Sequence, residues 1–339
     1  MAHHPNDYSI PNGNYFSLPF TPKESALVLL SVPWDVTTSY RPGAAKGPDA
    51  ILEASPQLDL YDFHHPGGWR KGIGTIEFDD SIRSTSRRLR EEAEKVIIHL
   101  ESGGSVEEEY AAKKLARIND ASRRLNDYVY EESKRWLKEG KKVGVVGGDH
   151  STPFGLMRAV AEKEGGIGIL QIDAHADLRV AYEGFEHSHA SIMHNALTGI
   201  GEVASLVQVA VRDLSEAEAE RIETDPRITC FSNHLLSENR FNGMNWQQQC
   251  REIVERLPSK VYISFDIDGL TPEHCPSTGT PVPGGMTFDE ASHLLHAVAR
   301  SGRQIVGFDL CEVAPGPTTE WDANVGARML YKLCNIALL

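Results

Sequence analysis

Short apolar runs rich in Val, Ile and Leu recur along this chain and alternate with stretches of helical periodicity almost from end to end. This alternation is the signature of parallel βα units. The expected strands are Leu27 to Val32, Lys142 to Val146, Ile167 to Ile172, Leu206 to Val211, Val261 to Phe265 and Gln304 to Leu310. The clearest helix runs from about Val106 to Lys138, where Ala111, Leu115, Ile118, Leu125, Val129 and Trp136 return every three to four residues and Gly140 supplies a stop. Another begins at Gly47-Pro48-Asp49, since proline suits a first helical turn and Asp49 favours its positive end. The last spans Asp322 to Leu339. With no repeat or low-complexity linker, the expected fold is α/β: one three-layer αβα domain over residues 26–339 with a central, mostly parallel sheet. Residues 1–25 read as an extended N-terminal arm, and residues 62–105, with His64-His65-Pro66-Gly67-Gly68 and a Gly103-Gly104 break, read as irregular.

Three of the strands end in chemistry. Lys142 to Val146 runs into Gly147-Gly148-Asp149-His150-Ser151, Ile167 to Ile172 into Asp173-Ala174-His175-Ala176-Asp177, and Val261 to Phe265 into Asp266-Ile267-Asp268. In a parallel sheet the carboxyl ends share one edge, where open α/β proteins place ligands. Alternate residues of an extended segment project to one side, so Asp173, His175 and Asp177 can share a site, as can Asp266 and Asp268. Four carboxylates crowded at a sheet edge repel and take up protons unless cations neutralise them. Four carboxylates and two imidazoles without a thiolate suit Mn(II), Ni(II), Co(II) or Fe(II) better than a structural zinc. Each motif alone has a bland reading as turn or helix-cap chemistry. Their conjunction, each directly after an apolar run, points to a metal centre made by His150, Asp173, His175, Asp177, Asp266 and Asp268.

These motifs, with Gly307-Phe308-Asp309-Leu310-Cys311-Glu312-Val313-Ala314-Pro315, resemble the signatures of the ureohydrolase (arginase/agmatinase) family in order and separation, and the likeness runs from about residue 26 to 339. The resemblance implies two divalent metal ions per subunit, Ni2+ or Mn2+. One would be held by His150, Asp173, Asp177 and Asp266 and the other by His175, Asp173, Asp266 and Asp268. It implies a role for Asp177 in the catalytic set and for Glu312 in pairing with a guanidinium group. Tyr182 to Ser191 resembles the family's histidine loop, in which His189 matches the proton shuttle and His187 remains a second candidate beside the substrate. A homo-oligomer, trimer or hexamer, is implied by the same resemblance, and a need for metal-insertion accessory proteins is left open.

Within the guanidinium class the sequence leaves alternatives. Arg179 stands two residues beyond the second motif, where true arginases carry an asparagine, which argues against arginase. Overall similarity suggests agmatinase, with a guanidino-acid hydrolase as a further alternative. Asn12-Gly13-Asn14, Val32 to Thr37, Ser55 to Asp62 and Glu320 to Arg328 resemble the branch that hydrolyses free guanidine, and this is the expected substrate. A site for guanidine must exclude a tail, and Trp34 and Trp321 are the expected bulk. From another class, a non-catalytic guanidinium-binding subunit would be expected to have lost ligands, whereas all six are retained.

Bulk properties exclude more than they select. Lys plus Arg number 34 against 48 Asp plus Glu, a formal net charge of −14, a field that disfavours nucleic acid and anionic membranes and attracts a small cationic substrate. Five cysteines without a CxxC pair read as reduced thiols. With no signal-like or bilayer-length apolar segment, the expected location is cytoplasmic.

Overall fold

Strands buried on both faces require near-continuous apolar runs, and the runs seen in the sequence fill that role here. The computed structural model describes residues 9–76 and 79–339. Its strands are β1 (Leu27–Val32), β2 (Ile73–Ile76), β3 (Lys142–Gly147), β4 (Ile167–Ile172), β5 (Val203–Val209), β6 (Ile228–Phe231), β7 (Lys260–Asp266) and β8 (Gln304–Cys311). They form one eight-stranded sheet of order β2-β1-β3-β8-β7-β4-β5-β6, every pair parallel. β3, β8, β7 and β4 are therefore consecutive at its centre, although the chain visits them far apart.

Helices cover both faces. Asp80–Glu101, Glu109–Lys138, Phe154–Glu164 and Ile192–Gly199 pack on one, giving a core that includes Leu89, Ile118, Val129 and Leu156. Gly47–Ala54, Trp246–Glu255, Phe288–Arg300 and Trp321–Ala337 pack on the other around Ile51, Ile253, Leu294 and Leu330. Among the described residues no helix is long and apolar enough to cross a membrane. No cysteine is in a disulfide.

The expected architecture is present, with local differences. The segment expected to be irregular contains β2 and the 22-residue helix Asp80–Glu101. That helix buries Ser86, Leu89, Ala93, Val96 and Ile97 at helical spacing, but its many charged residues dilute the signal. β2 and β6 are four-residue edge strands, too short for a clear pattern. β5 starts earlier than expected and ends at Val209, where Ala210 takes a φ of 77°. The N-terminal arm is not a loose extension over its described part. Tyr15, Phe16 and Leu18 are buried. The Tyr15 hydroxyl lies 2.8 Å from Ser31 Oγ and donates to Pro48 O at 3.2 Å, and Phe16 packs edge-on against Tyr331 with ring centroids 5.0 Å apart. The first eight residues of the arm lie outside the described residues.

Candidate metal centre

The four central strands deliver their carboxyl ends to one crevice, and local turn chemistry aims the side chains into it. Asp173 Oδ1 accepts from the backbone N–H of His175 at 2.6 Å, Asp266 Oδ1 from that of Asp268 at 2.9 Å, and Asp268 Oδ1 from that of Ala174 at 3.0 Å. Each of these three aspartates thus spends one oxygen on fixing a loop and turns the other toward a histidine of the cluster. Two close approaches need glycine. A Cβ on Gly148 would sit 1.9 Å from Trp34 O, and one on Gly269 would sit 2.8 Å from Asp173 N. Asp177 and Glu312 have φ of 54° and 62°, a region that costs a non-glycine residue on the order of 1 kcal/mol or more and is tolerated where surrounding structure demands it.

Two ligand groups result. His150 Nδ1 lies 3.0 Å from Asp173 Oδ2, 2.9 Å from Asp177 Oδ2 and 3.5 Å from Asp266 Oδ2. His175 Nδ1 lies 3.1 Å from Asp268 Oδ2 and 3.5 Å from Asp173 Oδ1. Asp173 belongs to both. All six residues named from the sequence are brought together, five of them buried and His175 partly so. Although surrounded by acceptors, His150 Nδ1 makes no well-aligned hydrogen bond, and neither does Asp268 Oδ2. Buried polar atoms that converge on a point without bonding each other fit divalent ions as their common partner.

The electrostatics agree. Burial, then the charge of Asp173, raises Asp177 to about 7, and burial with the charges of Asp268 and Asp173 holds Asp266 well above the carboxylate range. Burial also opposes charge on His150, but contacts with Asp173 and Asp177 outweigh it and lift the imidazole well above its ordinary value. His175 rises likewise, with Asp268 the leading partner against burial. Asp173 is held low because two histidines overcome its burial. Without cations the cluster therefore keeps protons, which binding of divalent ions would displace.

Glu312 follows β8 on the same edge. Its Oε1 accepts from the backbone N–H of His150 at 2.9 Å. Its Oε2 is buried with no hydrogen-bond partner. Burial, then the charge of Asp149, raises its pKa well above the ordinary value, as for a carboxylate awaiting a cationic partner.

A cavity of about 160 Å³ opens from His175 and Asp177 past His189 to Arg179, Tyr182, Asp213 and Glu218. His189 Nε2 lies 3.4 Å from Ser39 Oγ, and burial, then the charge of His175, pushes its pKa down to about 3, leaving a neutral imidazole at neutral pH. Arg179 is engaged at the mouth, its Nε 3.4 Å from Glu218 Oε2 and its guanidinium 4.6 Å from the Tyr182 ring centroid. Four residues assigned to substrate binding, Glu312, His187, Trp34 and Trp321, are not in the lining. His187 stands beside Phe154, ring centroids 5.5 Å apart. Trp34, 2% exposed, is packed in the apolar core with Val32 and Val36, and its backbone O accepts from Asp149 N at 2.7 Å. Trp321, 48% exposed, opens the last helix with Nε1 donating to Glu273 O at 2.9 Å. The expectation that the tryptophans fill tail space is thereby corrected.

Sequence reading passed over the supports. Arg212 donates to Asp268 O at 2.7 Å and to Leu270 O and Val282 O, lashing the loop after β7 to that after β5. Gln208 Nε2 donates to Gln171 Oε1 at 2.6 Å, and Gln171 Nε2 to Asp173 Oδ2 at 2.8 Å. The available signal was a glutamine inside each of two otherwise apolar strands.

A parallel sheet whose central strands carry six converging Asp and His side chains defines an α/β protein with a candidate carboxylate–imidazole metal centre at its switch point. Comparison with known proteins specifies the class. The arginase family model matches residues 25–335, and the chain belongs to that family. It is an enzyme of the ureohydrolase type. An N(1)-aminopropylagmatine ureohydrolase from Thermus thermophilus is 33% identical over 296 residues, 87% of this chain and 85% of that protein. An agmatinase from Bacillus anthracis is 29% identical over 86% of this chain and 85% of its own length. The proclavaminate amidinohydrolase structure from Streptomyces clavuligerus superposes with a TM-score of 0.72 at 23% identity, covering 98% of both chains.

Proposed function

We propose that this enzyme hydrolyses an agmatine-like compound, a linear alkyl guanidinium with a distal cationic amine, to urea and the free amine. The observation that carries this reading is the cavity, whose lining joins the proposed metal ligands His175 and Asp177 to the exposed Asp213, a carboxylate that can pair with a tail ammonium. Free guanidine, the substrate expected from sequence, loses its physical support once Trp34 and Trp321 are found outside that lining. The names of the relatives, agmatinase and aminopropylagmatine ureohydrolase, favour the same choice.

His150, Asp173, Asp177 and Asp266 would hold one divalent ion and His175, Asp173, Asp266 and Asp268 the other, Mn2+ or Ni2+. When bound, such a pair supplies Lewis acidity that acidifies water by many pK units. Glu312 pairs through its free Oε2 with the guanidinium and holds its plane fixed. Water adds to the guanidinium carbon, the bond to the tail nitrogen breaks, and that nitrogen leaves with a proton. His189, neutral and lining the cavity, moves this proton. The acidic mouth draws the tail ammonium, and the overall charge of −14 draws the dication. A second copy of the chain is the proposed partner, in a trimer or hexamer, and the proposed location is the cytoplasm.

The test is urea release from agmatine, aminopropylagmatine, arginine, guanidinobutyrate and guanidine after loading separately with Mn2+ and Ni2+. Agmatine or its aminopropyl derivative should give the highest kcat/KM. A guanidine kcat/KM equal to or above both would overturn the choice of substrate while leaving the ureohydrolase assignment intact.

A further inference from the structure

Three buried polar side chains sit behind His150, on the side away from the metal ligands. Ser264 of β7 and Asp309 of β8 are direct partners in the strand register, both fully buried, and the phenol of Tyr262 lies against Asp309. His150 Nε2 is 2.8 Å from Ser264 Oγ, and Ser264 Oγ is 3.2 Å from Asp309 Oδ1. A polar row in the middle of an apolar sheet costs desolvation and calls for a compensating role.

The direction of these bonds follows from the donors around Asp309. The backbone N–H of Phe265 and the thiol of Cys311 both approach Oδ1, at 3.3 and 3.6 Å. An oxygen receiving a backbone N–H is an acceptor, so the Ser264 hydroxyl proton points to it as well. The lone pairs of Ser264 Oγ then face His150 Nε2, which must carry the proton. Once a divalent ion has displaced the cluster's protons, Nδ1 is then the nitrogen free to ligate, on the side of Asp173, Asp177 and Asp266. We propose that Ser264 and Asp309 are positioning residues that lock His150 in the tautomer and ring orientation a metal ligand needs, with Asp309 acting through the serine because it lies 3.8 Å from Nε2 itself. The inference rests on the reading of His150 as a ligand. Such outer partners fix the ligand's tautomer and raise its basicity, and their loss costs roughly 10- to 100-fold in metal affinity.

The test is calorimetric titration of Mn2+ into the metal-free full-length protein and its Ser264→Ala, Asp309→Asn, His150→Asn and His175→Asn variants, with far-UV spectra and Tm recorded for each. The wild type should bind two ions. Ser264→Ala and Asp309→Asn should raise the Kd of one ion by about 10- to 100-fold, that ion being the one lost in His150→Asn and retained in His175→Asn. In the His150→Asn background Ser264→Ala should add no further loss, since the relay then has nothing to orient. Unchanged affinity for both ions in folded Ser264→Ala overturns the proposal. Equal weakening of both ions, or unfolding of both variants, overturns it in favour of a general structural role. If His150→Asn itself binds like the wild type, the ligand reading fails along with the proposal. A loss in His150→Asn without one in Ser264→Ala sinks the relay alone.

Discussion

Asp173, Asp266 and Asp268 each divide their two oxygens between a loop N–H and the shared interior, which is why single substitutions there should act on metal and rate together. Asp266→Asn keeps the oxygen that accepts from Asp268 N but replaces the one that lies 3.5 Å from His150 Nδ1 with an amide nitrogen, which has no lone pair to give a metal. Turnover should fall by more than the roughly 10- to 100-fold typical of losing only an outer partner of a ligand, with fewer than two ions bound by metal analysis. Near-normal rate and metal content would contradict the ligand role proposed for Asp266. His189 should behave oppositely. His189→Ala should slow hydrolysis by about 10²–10⁴-fold with metal content intact, and His187→Ala should have little effect because that ring packs against Phe154. A larger loss in His187→Ala would reverse the assignment.

At the scale of elements, β3, β8, β7 and β4 place four loops side by side, and the sheet edge is only as well made as the backbone contacts between them. Gly148 is where this is tightest, since a Cβ would meet the carbonyl of Trp34 at 1.9 Å. Gly148→Ala should destabilise by about 1–3 kcal/mol or more, because backbone cannot yield as a side chain does. Gly201→Ala, where nothing lies within 4 Å, should stay within about 0.5 kcal/mol of wild type in denaturant unfolding. Equal effects would show that the close approach is unimportant. Legibility followed the same physics. Strands buried on both faces announced themselves as apolar runs, and ligands directly after them could be named by number. β2, β6 and the charged helix Asp80–Glu101 were missed because edge strands and solvated helices carry weak patterns. Trp34 and Trp321 were misplaced because their bulk was legible but their direction was not. That direction depends on how the chain leaves β1 at Trp34, held by Asp149 N, and on the helix start at Trp321. Ser264 and Asp309 lay inside recognised motifs, yet only the β7–β8 register shows them behind His150.

For the molecule as a whole, acid should be destabilising through a histidine far from the centre. His296 is buried beside His64, ring centroids 4.1 Å apart, and neither of its nitrogens has a hydrogen-bond partner. Burial, then the charge of His64, lowers its pKa to about 4. An unfolded histidine titrates near 6.5, so the unfolded chain binds the proton first. The stability held by neutral His296 is complete above about pH 6.5 and is lost as pH falls toward about 4, by at most roughly 1.4 kcal/mol per pH unit. The stability of wild type relative to His296→Leu, from urea unfolding of the metal-free proteins, should therefore drop by roughly 1–2 kcal/mol between pH 7 and pH 5. A constant difference would show that His296 does not titrate in this way.

The central claim is that the converging carboxylates and imidazoles form one hydrolytic centre needing two ions. The most direct measurement is the rate of urea release from agmatine as a function of Mn2+ bound per chain. Activity should be low at one equivalent, reach its plateau at two, and remain absent in Asp266→Asn at any loading. A plateau at one equivalent, or full activity in Asp266→Asn, would contradict it.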